Sequence, residues 1–286
     1  MFCRRLLVFL LCFVVSPFAA LGGELSVTPV EIVNGGAVVL RWTGDSPSFA
    51  VVRFNDQVLY LYPDRVGAIA LLPIPLDMPA GIYPVRGAVV DDRGETTPVA
   101  TEICVSRLER PQESLTLPKE MVSPKKPAVL ERIAREKGRL DALFAQRSLR
   151  LWDDFVRPVT EPVSSVFGKR RLMNGQPRAP HSGTDFRSPA GTPVRAMSTG
   201  RVVLNDALFY TGNTVILDHG EGLFSLYAHL SSSQAGVGDL VSSGAVIGKV
   251  GSTGRSTGPH LHLTVRLLGD RIDPLLLLAA FQSQGS

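Results

Sequence analysis

Cysteine is almost missing from this chain: there are three among 286 residues, at positions 3, 12 and 104. The first two fall in an N-terminal segment that reads as removable, which leaves Cys104 alone and excludes an internal disulfide framework. Cys104 stands between apolar neighbours in TEICVS and reads as a buried, inert thiol. Histidine is scarce too. None of the five precedes residue 181, so the first 180 residues hold no imidazole chemistry. H-E-x-x-H does not occur, which excludes the helix-borne zinc protease arrangement with its glutamate base. Charge is modest, at 20% Asp, Glu, Lys and Arg with a net +4. So mildly basic a surface suits an anionic polymer such as cell wall without requiring one, and no nucleic-acid partner is expected. Long apolar runs are lacking as well: LLVFLLCFVV at 6–15 is half of a ~20-residue membrane span.

What is present begins with that run. Arg4 and Arg5 precede it, and SPFAALGG with its helix-breaking Pro17 follows. This is the layout of a Sec signal peptide over 1–22, with an uncleaved anchor as the alternative. Cys12 follows Leu11, where a lipoprotein signal has a small residue, so no lipidation is read. A chain addressed in this way works in the periplasm or cell envelope.

Residues 23–107 hold AVVLRW (37–42), FAVVRF (49–54) and VLYLY (58–62), then GAIALL, GIYPVRGAVV and PVATEICV. These runs are rich in β-branched and aromatic residues, Pro, Gly or Asp separates them, and NDQ (55–57) reads as a hairpin turn. Six or seven short strands in about 85 residues predict an Ig-like β-sandwich serving as a spacer or docking module. Residues 108–157 read as a linker that opens Pro- and charge-rich. It continues into an amphipathic helix over 128–152, with Leu130, Ile133, Leu140 and Phe144 at helical spacing. Nine Lys and Arg against four Asp and Glu over 119–150 would suit a membrane or polyanion surface. A solvated helix packed by one face on its neighbour is the preferred reading.

Seventeen of the 27 glycines and all five histidines lie beyond residue 158. TPVRAM, GRVVLN, NTVILD, LFSLYAHL, AVIGKV and HLHLTVRLL read as strands, and DHGEG (218–222) as the turn between two of them. The fold class is therefore mainly β, with a glycine-punctuated antiparallel domain over 158–276. A tail at 277–286 follows, and LLLLAAF (275–281), which runs into it, is expected to pack back on the sheet as a short helix or extension.

Within that domain, PHSGTDF sets His181 four residues before Asp185, with Gly183 between them, so the pair comes from a loop entering a strand rather than from a helix. An imidazole with a carboxylate suits a borderline cation such as zinc. In GPHLHL, His260 and His262 project to the same face of a strand, about 7 Å apart along the backbone. That spacing suits one ligand and one neighbour acting on what the metal binds. LYAHL adds His229 from another strand.

The order of these motifs resembles the lysostaphin/LytM-type zinc endopeptidases of bacterial cell walls. SSVFGKRR, HSGTDFRSPAGTPVRA, GRVV, GNTVILDHGEG, LYAHLS, GDLVSSGAVIGKVGSTGRSTGPHLHL and RIDPLLLL carry the resemblance over roughly 40% of the chain. The resemblance implies His181, Asp185 and His262 as zinc ligands, and His229 and His260 as non-ligating catalytic residues. Two histidines and one aspartate leave a fourth zinc position open, as a hydrolytic site requires. His219, Asp218, Glu221 and Asp239 read as structural or surface turn residues, and Tyr227 as packing. Leu263 and Thr264 replace the Phe and the acidic or amide residue more usual after the second histidine. Thr264 shares the face of the two histidines, so a contact behind the ligands differs.

The resemblance implies a zinc metalloendopeptidase acting on peptidoglycan stem peptides and cross-bridges. The alternative is a non-enzymatic LytM-domain regulator that activates wall amidases, or a wall-binding module without turnover. A filled ligand set favours the enzyme. A monomer is expected, with a regulatory protein, or the chain's own N-terminal domain or linker, as the candidates for an inhibitor, and the sequence leaves open whether any of them covers the site.

Overall fold

The computed structural model describes residues 23–282, so the signal peptide expected at 1–22 lies outside the described residues. Strand accounts for 48% of the structure and helix for 12%, which makes the protein mainly β as expected. None of the described helices is long and apolar enough to cross a membrane.

The N-terminal unit contains β1 (Glu24–Thr28), β2 (Glu31–Val33), β3 (Ala37–Thr43), β4 (Phe49–Phe54), β5 (Gln57–Tyr60), β6 (Tyr62–Asp64), β7 (Gly67–Pro73), β8 (Gly81–Val90) and β9 (Thr96–Ser106). One sheet runs β1-β3-β7-β6 and the other β2-β9-β8-β4-β5, and their inner faces share a core around Leu40, Leu72 and Ile103. VLYLY is two strands rather than one: β5 belongs to one sheet and β6 to the other, with Leu61 at the crossing. The hairpin before β5 turns on Asn55 and Asp56, where Asn55 adopts φ +50°. Cys104 on β9 is half-buried rather than buried, at an alternate position between Ile103 and Val105.

The segment read as a linker is structured. It supplies β10 (Gln112–Leu115), a short α1 (Lys119–Val122) and α2 (Pro127–Phe144). The helix ends eight residues earlier than the periodicity predicts. Its apolar side is buried only at the C-terminal end, where Leu143 and Phe144 pack beside Leu140, whereas Leu130 is 47% exposed. One-face packing therefore holds for the last turns alone.

The remaining strands are β11 (Val163–Ser165), β12 (Arg170–Met173), β13 (Gln176–Arg178), β14 (Thr184–Phe186), β15 (Pro193–Arg195), β16 (Gly200–Leu208), β17 (Gly212–Gly220), β18 (Leu223–Ser233), β19 (Leu240–Val241), β20 (Val246–Val250), β21 (Leu261–Leu267) and β22 (Asp270–Ile272). The main sheet runs β11-β14-β21-β18-β17-β16-β19 with antiparallel neighbours throughout. A separate ribbon is formed by β10, β12 and β13, with β10 parallel to β12. β17 continues through His219 and Gly220, so the turn of DHGEG is only Glu221-Gly222. Both residues have positive φ, as a two-residue type I′ hairpin requires.

α3 (Pro274–Gln282) runs across the expected boundary at 276/277 and buries Leu277, Leu278 and Ala280. It meets the outer face of β3 and β7. Ala37, Val39, Ile69 and Leu71 there join one core with Phe186, Val215 and Leu263, while the alternate residues Val38, Leu40, Ala70 and Leu72 face the sandwich interior. β3 and β7 are buried on both faces, which explains their near-continuous apolar sequence.

Candidate metal centre

Two neighbouring strands and the loop before one of them build the site. Asp185 on β14 lies directly opposite His262 on β21. His181 precedes β14 and is held by two backbone bonds, His181 N to Lys169 O at 2.8 Å and Gly168 N to His181 O at 2.9 Å. Gly183 allows the close approach: a Cβ there would sit 2.2 Å from the Leu263 carbonyl oxygen.

His181, Asp185 and His262 are all buried, and their ligand atoms converge. His181 Nε2 is 3.0 Å from Asp185 Oδ1 and 3.1 Å from His262 Nδ1, which is itself 2.6 Å from the same Oδ1. The tautomer of His181 follows from its other nitrogen. Nδ1 faces the Val166 carbonyl at 3.0 Å, and a carbonyl only accepts, so the proton sits on Nδ1 and the Nε2 lone pair points at the carboxylate. His262 Nε2 faces Thr264 Oγ1 at 2.9 Å, so Thr264 does make the contact expected behind the ligands. Two lone-pair donors facing each other at these distances need a cation or a shared proton between them. Tetrahedral ligands at ~2.0–2.1 Å from zinc stand about 3.3 Å apart; His181 Nε2 lies near that distance from both partners, and the 2.6 Å between His262 and Asp185 is tighter, so the donor set fits a zinc ion once that pair opens slightly.

His229 and His260 flank this triad. Their ring centroids are 4.7 Å apart, and His229 lies 5.9 Å from the ring of His262. His229 Nδ1 donates to the Thr253 carbonyl at 2.7 Å and His260 Nδ1 to the Gly258 carbonyl at 2.8 Å, which leaves Nε2 of both rings bare. His260 Nε2 is 3.9 Å from Asp185 Oδ1. His229 sits at φ +62° in a bulge of β18: three steps from Tyr227 to Leu230 match two on β17, from Val215 to Asn213. Bulges next to active sites aim side chains in this way. Burial, with His262 and His260 alongside, pushes the pKa of His229 down to about 3.

The fifth histidine is elsewhere. His219 is fully buried between the Thr199 carbonyl (2.8 Å) and Ser225 Oγ (2.7 Å), and Ser225 bonds the Tyr227 hydroxyl at 3.0 Å, so both residues are structural. Asp218 and Asp239 cap turns, accepting from Gly220 N and Gly236 N. Glu221 is not a surface residue: it is 9% exposed beneath the 147–152 segment, and burial raises its pKa to about 7.

Above the triad lies a groove of about 330 Å³. Its walls include the 255–258 loop, Tyr210, and Glu113, Leu115 and Leu117 from the segment read as a linker; no residue of 23–107 lines it. Arg255 stacks on Tyr210 with its guanidinium 4.4 Å from the ring centroid. Sequence reasoning missed Glu113, Ser165 and Arg171, which border the groove beside the triad. Only the tertiary pairing of β10 with β12 brings Glu113 there.

The sequence pattern of peptidase family M23 matches residues 179–274, which span the triad and both flanking histidines. A solved structure from Pseudomonas aeruginosa assigned to peptidase M23 is 31% identical with a TM-score of 0.65, covering 87% of this chain and 96% of that one. The chain belongs to peptidase family M23. Among curated relatives, the DD-carboxypeptidase/endopeptidase Mpg of Neisseria meningitidis is 43% identical over 113 residues. The peptidoglycan DD-endopeptidase ShyA of Vibrio cholerae is 43% identical over 114. Each match takes in 40% of this M23 chain and 26% of the relative, so the chain spans about a quarter of the length of the curated relatives it matches.

Proposed function

We propose that this M23 protein is an exported, zinc-dependent endopeptidase that hydrolyses peptide cross-bridges of peptidoglycan in the periplasm or cell envelope. The observation that carries this reading is the convergence of His181 Nε2, Asp185 Oδ1 and His262 Nδ1 on one point beneath two further histidines with bare Nε2 atoms. The similarity to DD-endopeptidases of cell walls supports the substrate class. His181, Asp185 and His262 hold the metal. A zinc ion bound there acidifies water and polarises a carbonyl.

His229 and His260 supply the proton traffic. With Nδ1 of each ring tied to a carbonyl, Nε2 of either can take a proton from water and, once protonated, return it to the departing amine or donate to the developing oxyanion. The complete triad argues against the non-enzymatic regulator. The full chain should contain about one zinc per molecule and release peptides from purified sacculi, and His262→Ala should lose both. Metal binding and turnover retained in His262→Ala would refute the assignment.

A further inference from the structure

The segment that joins the two domains carries a carboxylate to the side of the metal centre. β10 lies outside the residues matched by the family pattern and pairs Glu113 directly with Arg171 on β12. The Glu113 carboxylate accepts hydrogen bonds from Lys169 Nζ at 3.0 Å, Arg171 Nε at 2.8 Å and Ser165 Oγ at 3.1 Å. All three side chains of the ion-pair cluster are largely buried, with 17% exposure for Glu113, 15% for Arg171 and 20% for Lys169. Two of these partners reach on to candidate ligands. Arg171 Nη2 donates to Asp185 Oδ2 at 3.1 Å, and Ser165 Oγ stands 3.3 Å from His181 Nδ1.

We infer that Glu113 is a positioning residue for the metal centre, acting through Arg171 on Asp185 and through Ser165 on His181. This inference rests on the zinc reading above. Asp185 has two oxygens with different tasks: Oδ2 is held by Arg171, and Oδ1 faces both imidazoles. Without Glu113, Arg171 would keep Asp185 as its one carboxylate partner among the described residues and would draw charge away from the oxygen that faces the metal. With Glu113 present, the cations are offset and Asp185 can neutralise a divalent ion. The interdomain strand is thus a fixed part of the site. A removable cover would have no such contacts, and displacing one would activate the enzyme, whereas loss of Glu113 weakens metal binding.

The test compares full-chain wild type, Glu113→Gln, Arg171→Met and the double variant by chelator competition for zinc, with melting temperatures of the metal-free proteins as the fold control. Glu113→Gln should bind zinc at least ~10-fold more weakly, the effect typical of groups behind metal ligands, with a metal-free melting temperature near that of wild type. The double variant should bind little worse than Arg171→Met. Wild-type zinc affinity in Glu113→Gln, or fully multiplicative losses in the double variant, would overturn the inference. Should Glu113→Gln fail to fold, Ser165→Ala and Arg171→Met carry the same readout, and unchanged affinity in both would overturn it. A wild type that binds no zinc refutes the zinc reading itself, so the two failures are distinguishable.

Discussion

At the scale of single residues, the five histidines divide by what holds their second nitrogen. His181 and His262 turn one nitrogen to Asp185 and bond the other to Val166 or Thr264. His229 and His260 fix Nδ1 on carbonyls and keep Nε2 bare, while His219 is satisfied on both sides. His229→Ala and His260→Ala should therefore keep zinc and lose 10²–10⁴-fold in sacculus hydrolysis. Loss of the metal in either would make that residue a ligand instead. Glu221 gives a prediction about pH. Its folded pKa, about 7, lies above the ordinary value of 4.5, so between those limits the unfolded chain ionises first and folding loses stability as pH rises. Glu221→Gln removes that loss. Compared with wild type, its melting temperature should be higher at pH 8 and little changed at pH 4.

At the scale of elements, the β18 bulge and the end of α2 show how packing overrides periodicity. α2 carries a helical stripe, but its earlier turns touch the peptidase only through polar contacts of Arg132, Glu136 and Arg139 with residues 206–209, and only the last turn docks its apolar side on β16–β18. There Phe144 makes an edge contact with Phe224 at 5.4 Å between ring centroids and Arg266 stacks on it at 4.5 Å. Phe144→Ala should cost about 3–5 kcal/mol in denaturant unfolding, the range for a buried phenylalanine. Leu130→Ala, half-exposed on the same stripe, should stay within ~0.5 kcal/mol. Equal costs would mean the whole stripe is packed. Glu221 reads as a surface residue because turns are usually solvated. Residues 147–152 cross over this one, and a Cβ at Gly220 would lie 2.1 Å from the Leu149 carbonyl oxygen. Sequence spacing holds no trace of such a crossing.

For the whole molecule, the β-sandwich is welded to the peptidase rather than tethered to it. The outer faces of β3 and β7 and helix α3 belong to one core with the main sheet. A fragment of residues 158–286 would expose that surface and lose β10 together with Glu113. Relative to the full chain, it should bind a hydrophobic dye and unfold at a lower temperature. A fragment as stable as the full chain would show the shared core to be dispensable. The sandwich contributes no wall to the groove among the described residues, whereas the joining segment contributes three.

Local alternation and spacing alone determined the mainly β class and most strands. A strand places residues two apart on one face whatever surrounds it, which puts His260, His262 and Thr264 together. The motif order added His181, Asp185 and His229. Three features needed the tertiary structure: the fused core of the two domains, the burial of Glu221, and the passage of Glu113 beside the metal centre. Each depends on segments some 50 or more residues apart lying against one another, and long-range pairing leaves no periodic mark in either segment.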